Sequence, residues 1–505
     1  MNITNRRIAL NTIILYMRSI LIMIISLYIV RRSLFILGVV DYGIYNIIAG
    51  VVLMLSFLTS SLAASSQRFF SFEIGRNNTK AIQELFNQNV LIYFILIVFM
   101  ILIMETIGLW FIKNKIVLPE NKLTESLILY EISLVSLIFS ILSTPYLSLL
   151  IAYEKMSYYA FVSILDISLK FLSIQFVSFF YKNKLIYYSI FLSLSSMLIF
   201  TVYKIICNKK YPESKIKFQI NTYYVKKLIS FISWNFIGTI AGLIKVHGTN
   251  IVLNLFFGPI INTSKAISSQ VNSAITSFSI NFSTAIRPNM AKLYSQGKFT
   301  ELINFVFKSC KYTFFLMYIF TIPLIFNIEI LLKFWLVELP EYVKVFTVLV
   351  LVDSLIESLS YPLMGLIQAT GKIRLYQSVL GGLTILNIPI SYILLKSYSS
   401  PLIIFYVMII LSILSYFIRL IIIRKAIFFS YGDYGKLVFF PIVLVVVVSL
   451  MIIVCFQQYI HNKMIGVIIS IVLCTITNLL AIYFFGLDKT EKTFALNKIS
   501  SILTS

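Results

Sequence analysis

Apolar stretches of about twenty residues recur along this chain from one end to the other. Nothing else in the sequence constrains the fold as strongly. A hydrocarbon core roughly 30 Å thick is crossed by about 20 residues of helix, and helices satisfy their own backbone hydrogen bonds in lipid. Candidate spans lie at about 8–30, 42–65, 88–113, 126–152, 157–180, 185–206, 227–256, 263–288, 303–328, 342–369, 375–396, 401–424, 437–457 and 463–486. That makes fourteen in 505 residues, of which 59% are hydrophobic and 12% charged. A membrane β-barrel would show alternating segments of about ten residues instead. The fold class is therefore all-α, a polytopic membrane protein. The short basic opening runs into the first span with no small-residue cleavage site, so a retained span is expected there and not a signal peptide.

Net charge is +23. With no soluble domain to carry it, nucleic-acid binding is excluded in favour of loops that set topology and meet anionic lipid headgroups. With the N-terminus inside, Arg6, Arg7, Arg68, Arg76, Lys80, the lysines of 204–227, Arg287, Lys372, Arg419 and Arg424 all fall inside. The outer loops hold roughly half as many basic residues, so both termini are expected to be cytoplasmic. Ile, Phe, Tyr, Lys and Asn are abundant, as in AT-rich genomes, which points to a bacterial cytoplasmic (inner) membrane. Four scattered cysteines and two histidines offer no disulfide framework and no metal cluster. No cofactor is expected.

One stretch, 233–287, is too polar to face lipid. Asn235, Gly238, Gly242, Lys245 and Thr249 are spaced by three and four, which makes one helical stripe. The glycines there would let another helix approach closely. From Asn262 onward, Ser, Thr, Asn or Gln occurs at most turns, including Gln270, Asn272, Ser273 and Ser277. A helix that is polar all round survives in a membrane only against protein or water. These two helices are expected to line a hydrated cavity.

The long basic loop at 204–227 has six candidate spans before it and eight after it. A repeat runs across it. Residues 145–159 align without gaps on 362–376, with Pro145/Pro362, Ala152/Ala369, Lys155/Lys372 and Tyr159/Tyr376 identical, an offset of 362 − 145 = 217. Leu118-Pro119-Glu120 matches Leu339-Pro340-Glu341, Arg68 matches Arg287 and Gly38 matches Gly258, at 219–221. The expected plan is an N-terminal lobe (1–206), a cytoplasmic linker (207–226), a like-oriented C-terminal lobe (227–428) and two added spans with a tail (429–505). Parallel repeats of this kind carry a transport site between lobes.

Intramembrane charge is costly and marks function or structural pairing. Arg18 and Lys245 occupy mid-span positions in corresponding spans. Together they would make a site for a phosphate or pyrophosphate, or each would pair with a nearby carboxylate. Asp353 and Glu357, one helical turn apart, would bind a coupling H⁺ or Na⁺, or neutralise Lys245 or Arg18. His247 points off the Lys245 stripe and is either packed and neutral or a proton carrier. Asp166 and Lys170 read as a self-neutralised pair. Arg68 and Arg287 end their spans as interfacial anchors, with a gate as the second reading. Residues 365–373 carry two glycines before a lysine, but the spacing and the helical context rule out a P-loop.

The run Leu37-Gly38-Val39-Val40-Asp41-Tyr42-Gly43-Ile44-Tyr45-Asn46 resembles the opening of bacterial polysaccharide-export flippases. So do Gln67-Arg68-Phe69, Glu154-Lys155-Met156 and Ala369-Thr370-Gly371-Lys372. These are the O-antigen and capsule flippases of the MATE-like multidrug/oligosaccharidyl-lipid/polysaccharide (MOP) superfamily, and the resemblance covers about residues 1–485. It implies a two-lobe helical fold that moves an undecaprenyl-diphosphate-linked oligosaccharide to the outer leaflet, often with ion coupling and beside polysaccharide-assembly partners. The family's cationic cavity is similar in kind to an Arg18/Lys245 site. The rival readings are a multidrug cation antiporter of the same fold, a membrane glycan polymerase or ligase, and a scaffold. A polymerase would need a large outer loop, and a scaffold would need no polar interior.

Overall fold

The computed structural model describes residues 3–53, 56–114, 122–217, 220–336, 339–457 and 464–493. Among them every regular element is helical. In chain order these are α1 (Ile3–Leu53), α2 (Ser56–Gly75), α3 (Thr79–Ile103), α4 (Leu109–Asn114), α5 (Leu123–Ala152), α6 (Met156–Val177), α7 (Lys184–Lys210), α8 (Thr222–Ser295) and α9 (Phe299–Trp335). Then come α10 (Val343–Ser358), α11 (Ser360–Thr370), α12 (Ile373–Ser397), α13 (Ile403–Ala426), α14 (Tyr431–Tyr434), α15 (Phe440–Gln457) and α16 (Met464–Ala481).

Among the described residues eleven helices are long and apolar enough to cross a membrane. Of the fourteen expected spans, the second, the eighth and the tenth are not among them. The second runs across residues 54–55, which lie outside the described residues, and the eighth is rich in Ser, Thr and Asn. The tenth is broken, since α10 ends at Ser358 and α11 starts at Ser360. Its Pro362 lacks the N–H that an unbroken helix would use. Pro145, its partner in the sequence alignment, sits inside an uninterrupted α5. Two helices meet within α1 at Gly38, whose φ 80°, ψ 169° is not helical and kinks the chain there. The seventh and eighth spans, expected as separate, run on within α8.

The chain divides into two compact units, Arg7–Phe236 and Ile237–Ser505 with Met1–Arg6. The division falls inside α8, later than the 207–226 linker. In the first unit, α5 is the most buried span and runs against α7, with Tyr146 on Phe86 and Phe200. Ile36, Leu37, Ile174, Val177 and Tyr188 form a satellite core. In the second unit, Val252, Leu253, Phe346, Val350, Leu395, Ile404 and Phe405 pack α8, α10, α12 and α13 together. α9 carries three buried polar ties to the last two spans and the segment after them. Lys311 pairs with Glu491 at 2.7 Å, Tyr318 hydroxyl meets Ser449 Oγ at 2.7 Å, and Asn327 donates to Ser470 at 2.9 Å. Positions 311 and 318 lie close to one face of α9, and 327 lies on the opposite side.

The two units use the same turns. The α5–α6 turn puts Glu154 at φ 60°, with its N–H donating to Ile151 O. The α11–α12 turn puts Gly371 at φ 77°, with its N–H donating to Gln368 O. Residues 151 and 154 map on 368 and 371 at the offset of 217. The α2–α3 turn has Asn77 at φ 56° donating to Ile74 O, and the α8–α9 turn has Gly297 at φ 74° donating to Tyr294 O, an offset of 220.

Candidate functional site

α8 brings Lys245 inside the second unit because Gly238, one stripe position earlier, lets α12 in. A Cβ on Gly238 would lie 2.1 Å from Gln377 Oε1, so a larger residue there would have to displace the end of the Gln377 side chain. Gly242, on the same stripe, faces open space. The second close approach comes instead from Gly248, against Ile388.

Lys245 Nζ lies 3.2 Å from Glu357 Oε1 and 3.7 Å from Asp353 Oδ2, both on α10. The i,i+4 spacing puts the two carboxylates on one face, as expected, and they neutralise Lys245. Asp353 is buried, and its Oδ1 accepts no hydrogen bond. Glu357 is half open to a cavity of about 40 Å³, lined by Lys245, Ser360, Asn387, Ser412 and Arg419 among others. Such a space holds about three waters. Arg419 of α13 is within electrostatic reach of Glu357, and its guanidinium lies 5.5 Å from the Tyr376 ring. Arg287 interacts with the same Tyr376 and with Tyr361, and its buried Nε has no hydrogen-bond partner.

Two of these cations were not singled out from the sequence. Lys265, 8% exposed, donates to Thr249 Oγ1 and to Val246 O, and it feels the charge of Lys245. It hides among the hydroxyl residues of α8, and its spacing of twenty from Lys245 gave no signal within a single helical turn. Arg419 was read only as an inner-loop charge. Lys245 and Arg419 thus face the two carboxylates Asp353 and Glu357, and Lys265 and Arg287 add two further basic side chains beside them.

The remaining candidates are placed as follows. Thr249 is buried and caps Lys245 O at 2.7 Å. Asn272 accepts from Ser354 Oγ at 2.7 Å, which ties α8 to α10. Ser273 and Ser277 bond back to their own helix at Ser269 O and Ala274 O. Ser269, Gln270 and Ser273 are exposed at helical spacing on one stripe. Asn235 is buried in the first unit. The His247 side chain lies outside the described residues.

In the first unit, Arg18 lies 4.5 Å from the Tyr159 ring centroid and donates to Ser163 Oγ at 3.4 Å. Among the described residues no carboxylate comes within ion-pair distance of it. Asp166 pairs with Lys170 at 2.7 Å. Arg68 is stacked on Phe69 at 4.4 Å, with Phe72 and Phe231 beyond. Arg18 and Lys245 belong to different units.

No known protein family is matched by the chain, and no curated protein matches it in sequence. Its fold does have solved counterparts. A MATE in the straight conformation aligns with TM-score 0.71 at 11% identity, over 86% of this chain and 97% of that one. An outward-facing multidrug resistance MATE family transporter of the MOP superfamily gives 0.70 at 11%, over 82% and 95%. A MOP superfamily transporter from Pyrococcus furiosus Vc1, whose reversed binding-pocket polarity suggests a different function, gives 0.65 at 12%, over 84% and 96%. The chain is an integral membrane protein with the MATE fold.

Proposed function

We propose that this protein is an alternating-access flippase for an undecaprenyl-diphosphate-linked oligosaccharide, an O-antigen or capsule repeat unit, in the bacterial cytoplasmic membrane with both termini inside. The observation that carries the reading is the gathering of basic side chains in the α8–α10–α13 network. A multidrug exporter needs a net negative interior for its cations. A site rich in basic side chains suits a diphosphate, which adds charge-assisted hydrogen bonds of roughly 1.5–3 kcal/mol each. In the second unit Lys245, released from one carboxylate, and Arg419 would meet the diphosphate, and in the first unit Arg18 would. The stripe of Ser269, Gln270, Ser273 and Ser277 would face sugar hydroxyls. Asp353, with its open oxygen, and Glu357 would exchange H⁺ or Na⁺ as Lys245 moves. The chain makes no covalent step, and the neighbours of known fold are transporters.

The experiment uses proteoliposomes loaded with a polyprenyl-diphosphate oligosaccharide whose glycan is labelled from outside by an impermeant reagent. The intact chain should move the glycan across. Arg18→Ala should slow transport about tenfold or more, by the usual 1.4 kcal/mol per decade. Lys245→Arg should keep most of it. Efflux of cationic dyes with no glycan movement would assign the protein to drug export instead.

A further inference from the structure

A separate cavity of about 150 Å³ lies among α9, α15 and the segment after α16. Two π-turns frame it, Gly435–Phe439 before α15 and Ile482–Gly486 after α16. A π-turn fits an extra residue into one helical turn and is frequent at functional sites. The second one is held by Gly486, where a Cβ would sit 2.7 Å from the Phe315 ring.

Behind the cavity, Lys311 is buried and bound to Glu491. Glu491 N–H donates to Asp488 Oδ1 at 2.7 Å, and Asp488 N–H donates to Glu491 Oε2 at 2.9 Å. Burial works against the Asp488 charge, but hydrogen bonds from Thr490 and Glu491 N–H, with Lys308 and Lys311 nearby, hold its carboxyl below the ordinary value. Two groups remain underused. Glu491 is 8% exposed, yet its Oε1 accepts no hydrogen bond and its ion-pair contact is Lys308, 3.7 Å away, with the Tyr312 hydroxyl beside the carboxylate. Lys436, at the exposed rim, has no carboxylate within ion-pair distance among the described residues. Lys308 is half-exposed and makes only long pairs, 3.5 Å to Asp488 and 3.7 Å to Glu491. The mouth is apolar, with Leu437 and Phe485 both exposed. Aromatic residues and lysines at the ends of spans mark the membrane–water interface.

A simple anion would leave Glu491 Oε1 unanswered, and an apolar ligand would answer neither group. We infer that the cavity holds the headgroup of a membrane phospholipid that combines a phosphate with a primary ammonium, a phosphoethanolamine. The phosphate lies at Lys308 and Lys436, and the ammonium reaches Glu491 Oε1 and Asp488. A cavity of this size admits about as many heavy atoms as benzene has. One end of the headgroup therefore enters while the acyl chains stay against the apolar mouth. The bound lipid joins the last two spans to α9 beside their Lys311–Glu491 tie.

The experiment is native mass spectrometry of the full chain released from mixed micelles of phosphatidylethanolamine, phosphatidylglycerol and phosphatidylcholine at equal amounts. Phosphatidylethanolamine should be retained about tenfold over either of the others, and Lys436→Glu, which takes away a phosphate contact, should lower the retention of all three lipids. Lys436 is exposed and unpaired, so this variant should fold as the parent does. Lys209→Glu, an exposed change in the other unit, should have no effect. Equal retention of the ethanolamine and choline lipids, stronger retention of the glycerol lipid, or retention that Lys436→Glu leaves unchanged would overturn the proposal. Soluble O-phosphoethanolamine competing as well as the lipid would also overturn it, since the site would then belong to a water-soluble ligand.

Discussion

The two units repeat a backbone but not a charge arrangement. Their turns match residue for residue at Glu154 and Gly371 and at Asn77 and Gly297. Yet the mid-span Arg18 of the first unit rests on an aromatic ring and a hydroxyl, whereas Lys245 in the second is held by two carboxylates with Arg419 behind them. Asp166 and Lys170 of the first unit neutralise each other on one helix. A repeated scaffold therefore supplies two sites with different energetics. An arginine over tyrosine is ready for an anion at little reorganisation cost. A lysine between carboxylates must be released before it can bind one, and that release can be coupled to an ion.

The contrast predicts unequal responses to losing the cation. Lys245→Met leaves Asp353 and Glu357 without their partner in a poorly hydrated site. It should cost about 3–5 kcal/mol, because breaking a buried pair strands the remaining charge. The measurement is thermal unfolding in detergent at matched protein amounts. Adding Asp353→Asn to Lys245→Met should recover part of the loss, with a coupling of about 0.5–3 kcal/mol. Strictly additive losses would mean that the pair does not hold the site. Gly238→Ala comes next. Its Cβ must push Gln377 aside, so about 1–3 kcal/mol is expected, while Gly242→Ala on the same stripe should be neutral or slightly stabilising. A reversed order would mean that α12 does not set the position of Lys245.

Much of this was legible in the residues. Hydropathy runs located nearly all the crossings because lipid imposes one rule on every span. The i,i+4 rule put Asp353 and Glu357 on one face, and the 217-residue offset aligned the two segments that hold the Glu154 and Gly371 turns. Three things were not legible. The kink between the two helices of α1 depends on Gly38 adopting φ 80°, which the sequence permits but does not require. The break at Leu359 and the intact helix at Pro145 follow the same proline with opposite results, so the neighbouring helices decide. Lys265 and Arg419 joined the site through three-dimensional packing of α8 and α13, and no short-range spacing records that.

The first unit's cation should be the milder loss. Arg18→Met removes a stacked guanidinium with no buried carboxylate left behind, so stability should fall by only about 0.5–2 kcal/mol. Tyr159→Leu should reproduce most of that change and Ser163→Ala little of it. A loss as large as that of Lys245→Met would mean that Arg18 is a buried structural charge and that the contrast between the units fails.

The smallest effects are expected at the matched turns, where the units should behave alike in shape and differ only in residue choice. Gly297 has φ 74° and open space around it, so Gly297→Ala should cost about 1 kcal/mol from backbone strain alone. Asn77 already holds φ 56° at the equivalent place and is exposed. Asn tolerates that region because its short polar side chain can bond locally. Asn77→Gly relieves the strain and adds chain entropy to the unfolded state, and the two nearly cancel. The expected change is below about 0.5 kcal/mol, read as a shift in unfolding midpoint against the Gly297→Ala shift. If Asn77→Gly costs as much as Gly297→Ala, the Asn77 side chain contributes contacts that Gly297 lacks, and the two turns are alike in backbone only.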